Sequence, residues 1–125
     1  MADQSFTDRE LDIMSVLWDR GPATVSEVRS RLGDELAYTS VLSMLQILEQ
    51  KGKVTHEKDG KAYRYRALVG RAAAGHTALK QIMHKVFGGS AEMLMAQLVS
   101  DRKLSEEELR GLRKAVDQRL RELRK

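Results

Sequence analysis

The sequence predicts a mainly α-helical fold with one small β-hairpin, and three observations carry that expectation. Apolar residues recur three and four positions apart along most of the chain, the spacing of one helix face. One stretch, residues 54–66, instead joins two short β-compatible runs through Lys58-Asp59-Gly60-Lys61, with Asp-Gly at the tip. The composition is 42% hydrophobic but only 5% aromatic, which suits a packed helical protein rather than a disordered chain.

The first helix opens at Thr7-Asp8-Arg9-Glu10, a capping box in which the Thr7 hydroxyl accepts from the amide three residues on and Glu10 reaches back. Its Leu11, Ile13, Met14, Val16, Leu17 and Trp18 form an apolar surface too broad for one stripe, so packing on several sides is expected, with Trp18 in the core. Gly21-Pro22 ends it. Thr24-Val25-Ser26-Glu27 is a second capping box and opens a short helix with Val25, Val28 and Leu32 inward. After Gly33, Asp34-Glu35-Leu36-Ala37 makes a turn into a helix over 38–51. There Val41, Met44, Leu45 and Leu48 mark the inner face, at i, i+3, i+4 and i+7. The outer face carries Thr39, Ser43, Gln46 and Gln50, with Tyr38 and Ser40 in the first turn and Leu42 as the apolar exception. Gly52 stops the helix, and Lys51 in its last turn suits the dipole. In the hairpin that follows, alternation places Tyr63 and Tyr65 on one face and Arg64 and Arg66 on the other.

Two helices joined by a short turn containing Gly, followed by a basic hairpin, are the order of a winged helix-turn-helix domain. The net charge of +4 is unevenly spread: −4 over residues 1–37, +3 over 38–70 and +5 over 71–125. The positive charge begins where the outer-face helix begins, which points to a polyanion, double-stranded DNA, as partner. Tyr38, Thr39, Ser40, Leu42, Ser43 and Gln46 are the expected base-reading set. Their hydroxyls and amide suit base edges, and Leu42 or the Thr39 methyl suits a thymine methyl. No Arg or Lys stands on that face, so bidentate reading of guanine is missing and an A·T-rich half-site is expected. Phosphate contacts are expected from Arg29, Arg31, Lys51, Lys53, Lys58, Lys61 and Arg64, which position without specifying.

Past Leu68 the character changes, giving an expected DNA-binding domain over 1–70 and a helical dimerisation domain over 71–125. Residues 71–87 read as a helix with Leu79, Ile82, Met83, Val86 and Phe87 on one side, broken by Gly88-Gly89. Ser90 caps a short helix holding Ala91, Leu94, Met95 and Leu98. Ser105-Glu106-Glu107-Glu108 is a third capping box. It opens a helix in which Leu109, Leu112, Val116, Leu120 and Leu123 form a heptad-like seam. These helices carry more apolar face than so thin a segment buries alone. A second copy of the chain would cover it, so a homodimer is expected through Leu79, Ile82, Met83, Val86, Phe87, Leu94, Leu98, Leu109, Leu112, Val116 and Leu120.

The run from Leu36 to Gly52 resembles the recognition-helix segment of the penicillinase repressor family, which includes β-lactamase and methicillin-resistance repressors and copper-responsive relatives. Thr7-Asp8-Arg9-Glu10-Leu11 with Val16-Leu17-Trp18 resembles its opening helix, and Lys58-Asp59-Gly60-Lys61-Ala62-Tyr63-Arg64-Tyr65 its wing. Phe87-Gly88-Gly89-Ser90 and Leu104-Ser105-Glu106-Glu107-Glu108-Leu109 resemble its C-terminal arm, so the similarity spans about Thr7 to Leu120. The resemblance implies a dimeric winged-helix repressor on palindromic operators of the TACA…TGTA kind. It also implies release when a sensor-protease pathway leads to a cut in the arm. Carried over by position, that cut falls at Gln97-Leu98, where the well-known members carry an Asn-Phe pair. Where the β-lactamase repressors place a lysine and an arginine in the recognition helix, this chain has Thr39 and Leu42, and Ser40 and Ser43 replace threonines.

The chain has no cysteine, which removes disulfides, thiolate copper sensing and cysteine nucleophiles. His76 and His84 lie eight residues apart, more than two helical turns, and His56 falls in the hairpin. No His-Glu-x-x-His, phosphate-binding glycine loop or nucleophile elbow occurs, so no catalytic site, metal or cofactor is expected. No apolar run approaches the ~20 residues of a membrane span, and the start Met1-Ala2-Asp3-Gln4 is no signal peptide, so a cytoplasmic protein without membrane contact is expected. Two other functions fit the same residues. One is a small-molecule-responsive winged-helix regulator, its effector pocket at the dimer interface lined by Met83, Met93 and Met95. The other is a protein–protein adaptor that uses the winged helix for contact.

Overall fold

The computed structural model describes residues 6–33 and 36–124. In chain order the elements are α1 (Asp8–Arg20), β1 (Ala23–Thr24), α2 (Val25–Arg31), α3 (Tyr38–Gln50), β2 (Val54–Asp59), β3 (Ala62–Ala67), α4 (Arg71–Lys85), α5 (Ala91–Val99) and α6 (Glu106–Leu123). The fold is mainly helical with a small antiparallel sheet, a winged helix-turn-helix followed by a helical arm. The expected turn at Asp34-Glu35 and the start Met1-Ala2-Asp3-Gln4 lie outside the described residues. The chain divides into two compact units, one reaching Lys80 and one starting at Gln81, so the division falls inside α4.

In the first unit both capping boxes form. Thr7 accepts from the Glu10 amide at 3.1 Å while the Glu10 carboxylate accepts from the Thr7 amide at 2.8 Å. Thr24 and Glu27 do the same for α2, at 3.2 and 3.0 Å. Ile13, Met14 and Leu17 of α1, Val25 and Val28 of α2, and Val41, Leu45 and Leu48 of α3 converge with Val54 and Tyr65 on one core. Trp18 stands at the core's edge, half-buried, with its indole Nε1–H donating to the Val69 carbonyl at 2.8 Å.

The sheet has three strands in the order β1-β3-β2. The short β1 was not expected from sequence. It pairs Ala23 with Tyr65 and Thr24 with Arg64, so the cap of α2 also anchors the wing's second strand. The hairpin is longer and its turn tighter than the Asp-Gly signal suggested. Asp59 pairs with Ala62, and Gly60, at φ 65°, takes the first position of a two-residue Gly60-Lys61 turn.

In the arm, α4 ends at Lys85, leaving Val86 and Phe87 past the helix, with Gly88 and Gly89 at φ 57° and 85°. Ser90 caps α5 through the Met93 amide at 3.1 Å. Ser105 caps α6 through the Glu108 amide at 3.0 Å. The Glu108 carboxylate accepts from the Ser105 hydroxyl rather than from its backbone amide, so the expected third capping box is only half formed. Neither α5 nor α6 has a buried residue, and the α6 seam residues Leu109, Val116, Leu120 and Leu123 are exposed.

Candidate nucleic-acid interface

The outward surface of α3 divides into two stripes. Thr39, Ser40, Ser43, Ile47 and Gln50 are all exposed and lie on the side away from the core residues Val41, Leu45 and Leu48. Tyr38, Leu42, Gln46 and Glu49, at i, i+4, i+8 and i+11, line a groove of about 560 Å³ between α3, the start of α2 and the wing. The base-reading set expected from sequence therefore spans both stripes. Leu42 is half-buried and packs against the core, whereas Ile47, which the sequence pattern did not single out, is 45% exposed on the outer stripe.

The groove gathers aromatic side chains. All three tyrosines of the chain line it, together with His56, Lys61 and Ser26. The His56 ring lies 4.7 Å from the Tyr63 ring, edge on, and 5.3 Å from Tyr65. On the same wall, His56 Nδ1 faces both Glu49 carboxylate oxygens at 2.7 and 2.8 Å; a carboxylate only accepts, so this nitrogen carries the proton. Burial, then the neighbouring Glu49 carboxylate and the Tyr38 and Tyr63 phenols, push the Tyr65 hydroxyl above the usual tyrosine value. Tyr65 forms the buried floor, while Tyr38 and Tyr63 stand about half exposed at its rim.

The seven cations expected at phosphates separate sharply. Lys53 is 2% exposed, with its ammonium 4.8 Å from the centre of the Phe6 ring, so it is withdrawn from any surface contact. Lys51 turns to α1 and reaches both Glu10 carboxylate oxygens at 3.0 Å. Arg29 donates from Nε to the Leu36 carbonyl at 2.7 Å, holding the entry to α3. Arg64 is held by Asp59 at 3.0 Å, Glu27 at 3.2 Å and the Pro22 carbonyl at 3.4 Å, and Glu27 also binds Arg20. These four side chains are engaged in building the domain. Arg31, Lys58 and Lys61 are exposed, with no ion pair among the described residues. Sequence spacing carries no sign of this split, because it depends on which carboxylates, carbonyls and rings the fold brings opposite each cation.

In the arm, Gln97 and Leu98 sit in the last turn of α5, where the Gln97 carbonyl accepts from the Ser100 hydroxyl at 2.8 Å. Among the three methionines considered for an effector pocket, Met83 and Met95 are half-buried and Met93 is 57% exposed. No helix among the described residues is long and apolar enough to cross a membrane.

A family model described as penicillinase repressor matches residues 6–118. The methicillin resistance regulatory protein MecI of Staphylococcus aureus is 21% identical over 112 residues, 88% of this chain and 91% of that protein. The transcriptional regulator BlaI of Mycobacterium tuberculosis is 40% identical over 67 residues, 51% of this chain and 49% of that protein. Among solved structures, a MarR family protein from Bacillus stearothermophilus shares the fold, with a TM-score of 0.52 at 19% identity over 96% of this chain and 76% of that one. With the family model matched from Phe6 to Gln118, the chain belongs to the penicillinase repressor family of DNA-binding transcriptional repressors.

Proposed function

We propose that the chain is a homodimeric repressor that binds palindromic operators, one winged-helix domain to each half-site. The observation that carries this is the outer stripe of α3. Thr39, Ser40, Ser43, Ile47 and Gln50 form an exposed, uncharged surface on the side of α3 away from the core. Such a surface matches base edges in the major groove through hydroxyl and amide groups, with Ile47 rather than Leu42 meeting thymine methyls. The absence of a guanine-reading cation on that stripe favours A·T-rich half-sites. Arg31, Lys58 and Lys61 serve the phosphates.

The functional division runs between a DNA-binding segment over 1–70 and a dimerisation segment over 71–125. The exposed seam of Leu109, Val116 and Leu120, with Leu112 half-buried beside them, supports pairing of two arms. A cut at Gln97-Leu98 by a sensor-linked protease would separate α6 from the rest and so release the operator. Selection of duplexes from a random-sequence pool, at two salt concentrations, tests the reading. An enriched palindrome with affinity falling as salt rises is the expected result. No enrichment at either salt overturns it.

A further inference from the structure

The groove between α3 and the wing lies wholly within the first unit and carries an unused polar group on its floor. Tyr65 is 3% exposed, yet its hydroxyl has no hydrogen-bond partner among the described residues and is not sealed inside the protein, so it opens into the groove. A buried polar group without a partner costs folding free energy, which makes such a group a mark of a site that uses it. Around it, the groove of about 560 Å³ has the size and mixed lining of a small-molecule site, with Leu42, Val25 and the tyrosine rings as walls. We propose that this groove binds a small planar aromatic acid that carries a ring hydroxyl. The ligand hydroxyl meets Tyr65 and His56 on the floor, and its carboxylate meets Lys61 and the Tyr63 hydroxyl at the rim.

Each part of this ligand matches a feature of the lining. His56 Nδ1 is taken up by the Glu49 carboxylate at 2.7 and 2.8 Å, which leaves Nε2 as the ring nitrogen without a partner among the described residues. A ligand hydroxyl both donates and accepts, so it serves Nε2 and the Tyr65 hydroxyl together. Burial and the neighbouring Glu49 carboxylate raise the Tyr65 pKa, so this hydroxyl stays protonated at neutral pH. The Tyr38 and Tyr63 phenols add to that shift, which sets three phenols around one space. A planar ring suits walls whose rings already meet edge on, His56 lying 4.7 Å from Tyr63. An acid is favoured over a base because Lys61 has no ion pair among the described residues, whereas the one carboxylate on the lining, Glu49, is held by His56. Lys61 is also one of the three phosphate cations of the repressor reading, so a ligand carboxylate on it weakens operator binding. That coupling rests on the repressor reading; the site itself does not.

Calorimetric titration of the full chain, without DNA, tests the site with para-hydroxybenzoate. Two controls accompany it: cyclohexanecarboxylate, which keeps the charge and lacks the aromatic ring, and para-hydroxybenzamide, which keeps the ring and lacks the charge. Para-hydroxybenzoate should saturate the wild-type protein at millimolar concentration or below, with both controls binding more weakly. Tyr65→Phe should weaken it about fivefold, as for loss of one hydrogen bond. The melting temperature of that variant should be unchanged or higher, because in the free protein the hydroxyl has no partner to lose. Lys61→Gln should weaken para-hydroxybenzoate and leave para-hydroxybenzamide unaffected. On the duplex enriched from the random pool, saturating para-hydroxybenzoate should lower the affinity of the wild-type protein more than that of Lys61→Gln. The site is overturned if para-hydroxybenzoate does not saturate in the millimolar range, if cyclohexanecarboxylate binds as tightly, or if Tyr65→Phe binds as well as wild type. If no duplex is enriched, the repressor reading falls while the calorimetry still decides the site.

Discussion

His56 on β2 and Glu49 on α3 are joined through Nδ1 and both carboxylate oxygens, so the wing is tied to α3 by this side-chain pair. The two side chains are about a third exposed, at 35% and 30%, which discounts the strength of the contact. His56→Ala is expected to cost about 1 kcal/mol in urea unfolding. It should weaken operator binding by more than that stability change explains, because it also frees the Glu49 carboxylate. Unaltered binding by His56→Ala would show that the pair is merely structural.

Leu45 and Ile47 stand two residues apart on α3 and face opposite ways, 0% and 45% exposed. Leu45→Ala should destabilise the domain by about 2–5 kcal/mol through lost burial and the cavity left behind. Ile47→Ala should leave the melting temperature within error and reduce operator affinity, most at positions occupied by thymine. Equal affinity of Ile47→Ala and wild type for the selected operator would remove Ile47 from the recognition stripe.

Much of this arrangement was legible in the sequence. Both N-terminal capping boxes formed as written, because such boxes are local and need only residues three apart. The inner face of α3 was equally clear from its period. What escaped was non-local. A two-residue strand such as Ala23-Thr24 has no periodicity to detect and exists only because β3 lies beside it. The burial of Lys53 reflects the Phe6 ring, 47 positions away. Ile47 escaped because Val41, Met44, Leu45 and Leu48 already account for the inner face, and a single apolar residue outside that repeat carries no signal of its own, exposed ones being common.

Glu10 couples α1 to α3 and sets an acid limit on stability. Burial raises its pKa, but hydrogen bonds from the Thr7 backbone and Lys51, the Lys51 charge and the Thr7 side chain outweigh that and hold it below the usual glutamate value. The folded protein therefore binds fewer protons here than the unfolded chain. The stability contribution is complete above the ordinary glutamate value of about 4.3 and is lost as pH falls through the lower folded value. Urea unfolding of Glu10→Gln should show a lower stability at neutral pH and a flatter decline in this acid window. A decline as steep as that of wild type would place the acid sensitivity elsewhere.

The division among the cations gives a number to the salt dependence. Three contacts per subunit, from Arg31, Lys58 and Lys61, correspond to a slope of roughly −2.7 per subunit and roughly −5 for a dimer on its operator. Seven contacts per subunit would give roughly −13 for the dimer. Fluorescence anisotropy titrations at several salt concentrations separate the two. A slope near the larger value would mean that Lys51, Lys53, Arg29 and Arg64 all leave their present contacts when DNA arrives.

The arm is tested through α6. Val116 and Leu120, 48% and 45% exposed and four residues apart, lie on one helix face with Leu109 and Leu112. Burying such a side chain against a second copy contributes about 1.5–3 kcal/mol, whereas a buried, unpaired carboxylate costs several. Leu120→Asp should therefore shift sedimentation from dimer to monomer while leaving the winged-helix unit folded, since its core contains no residue of α6. Two half-site contacts made by one dimer reinforce each other through their high effective concentration. The monomeric variant should consequently lose far more affinity for a full palindrome than for an isolated half-site. If Leu120→Asp stays dimeric, the α6 seam is not the interface, and the Leu79, Ile82 and Val86 side of α4 and its end becomes the surface to alter next.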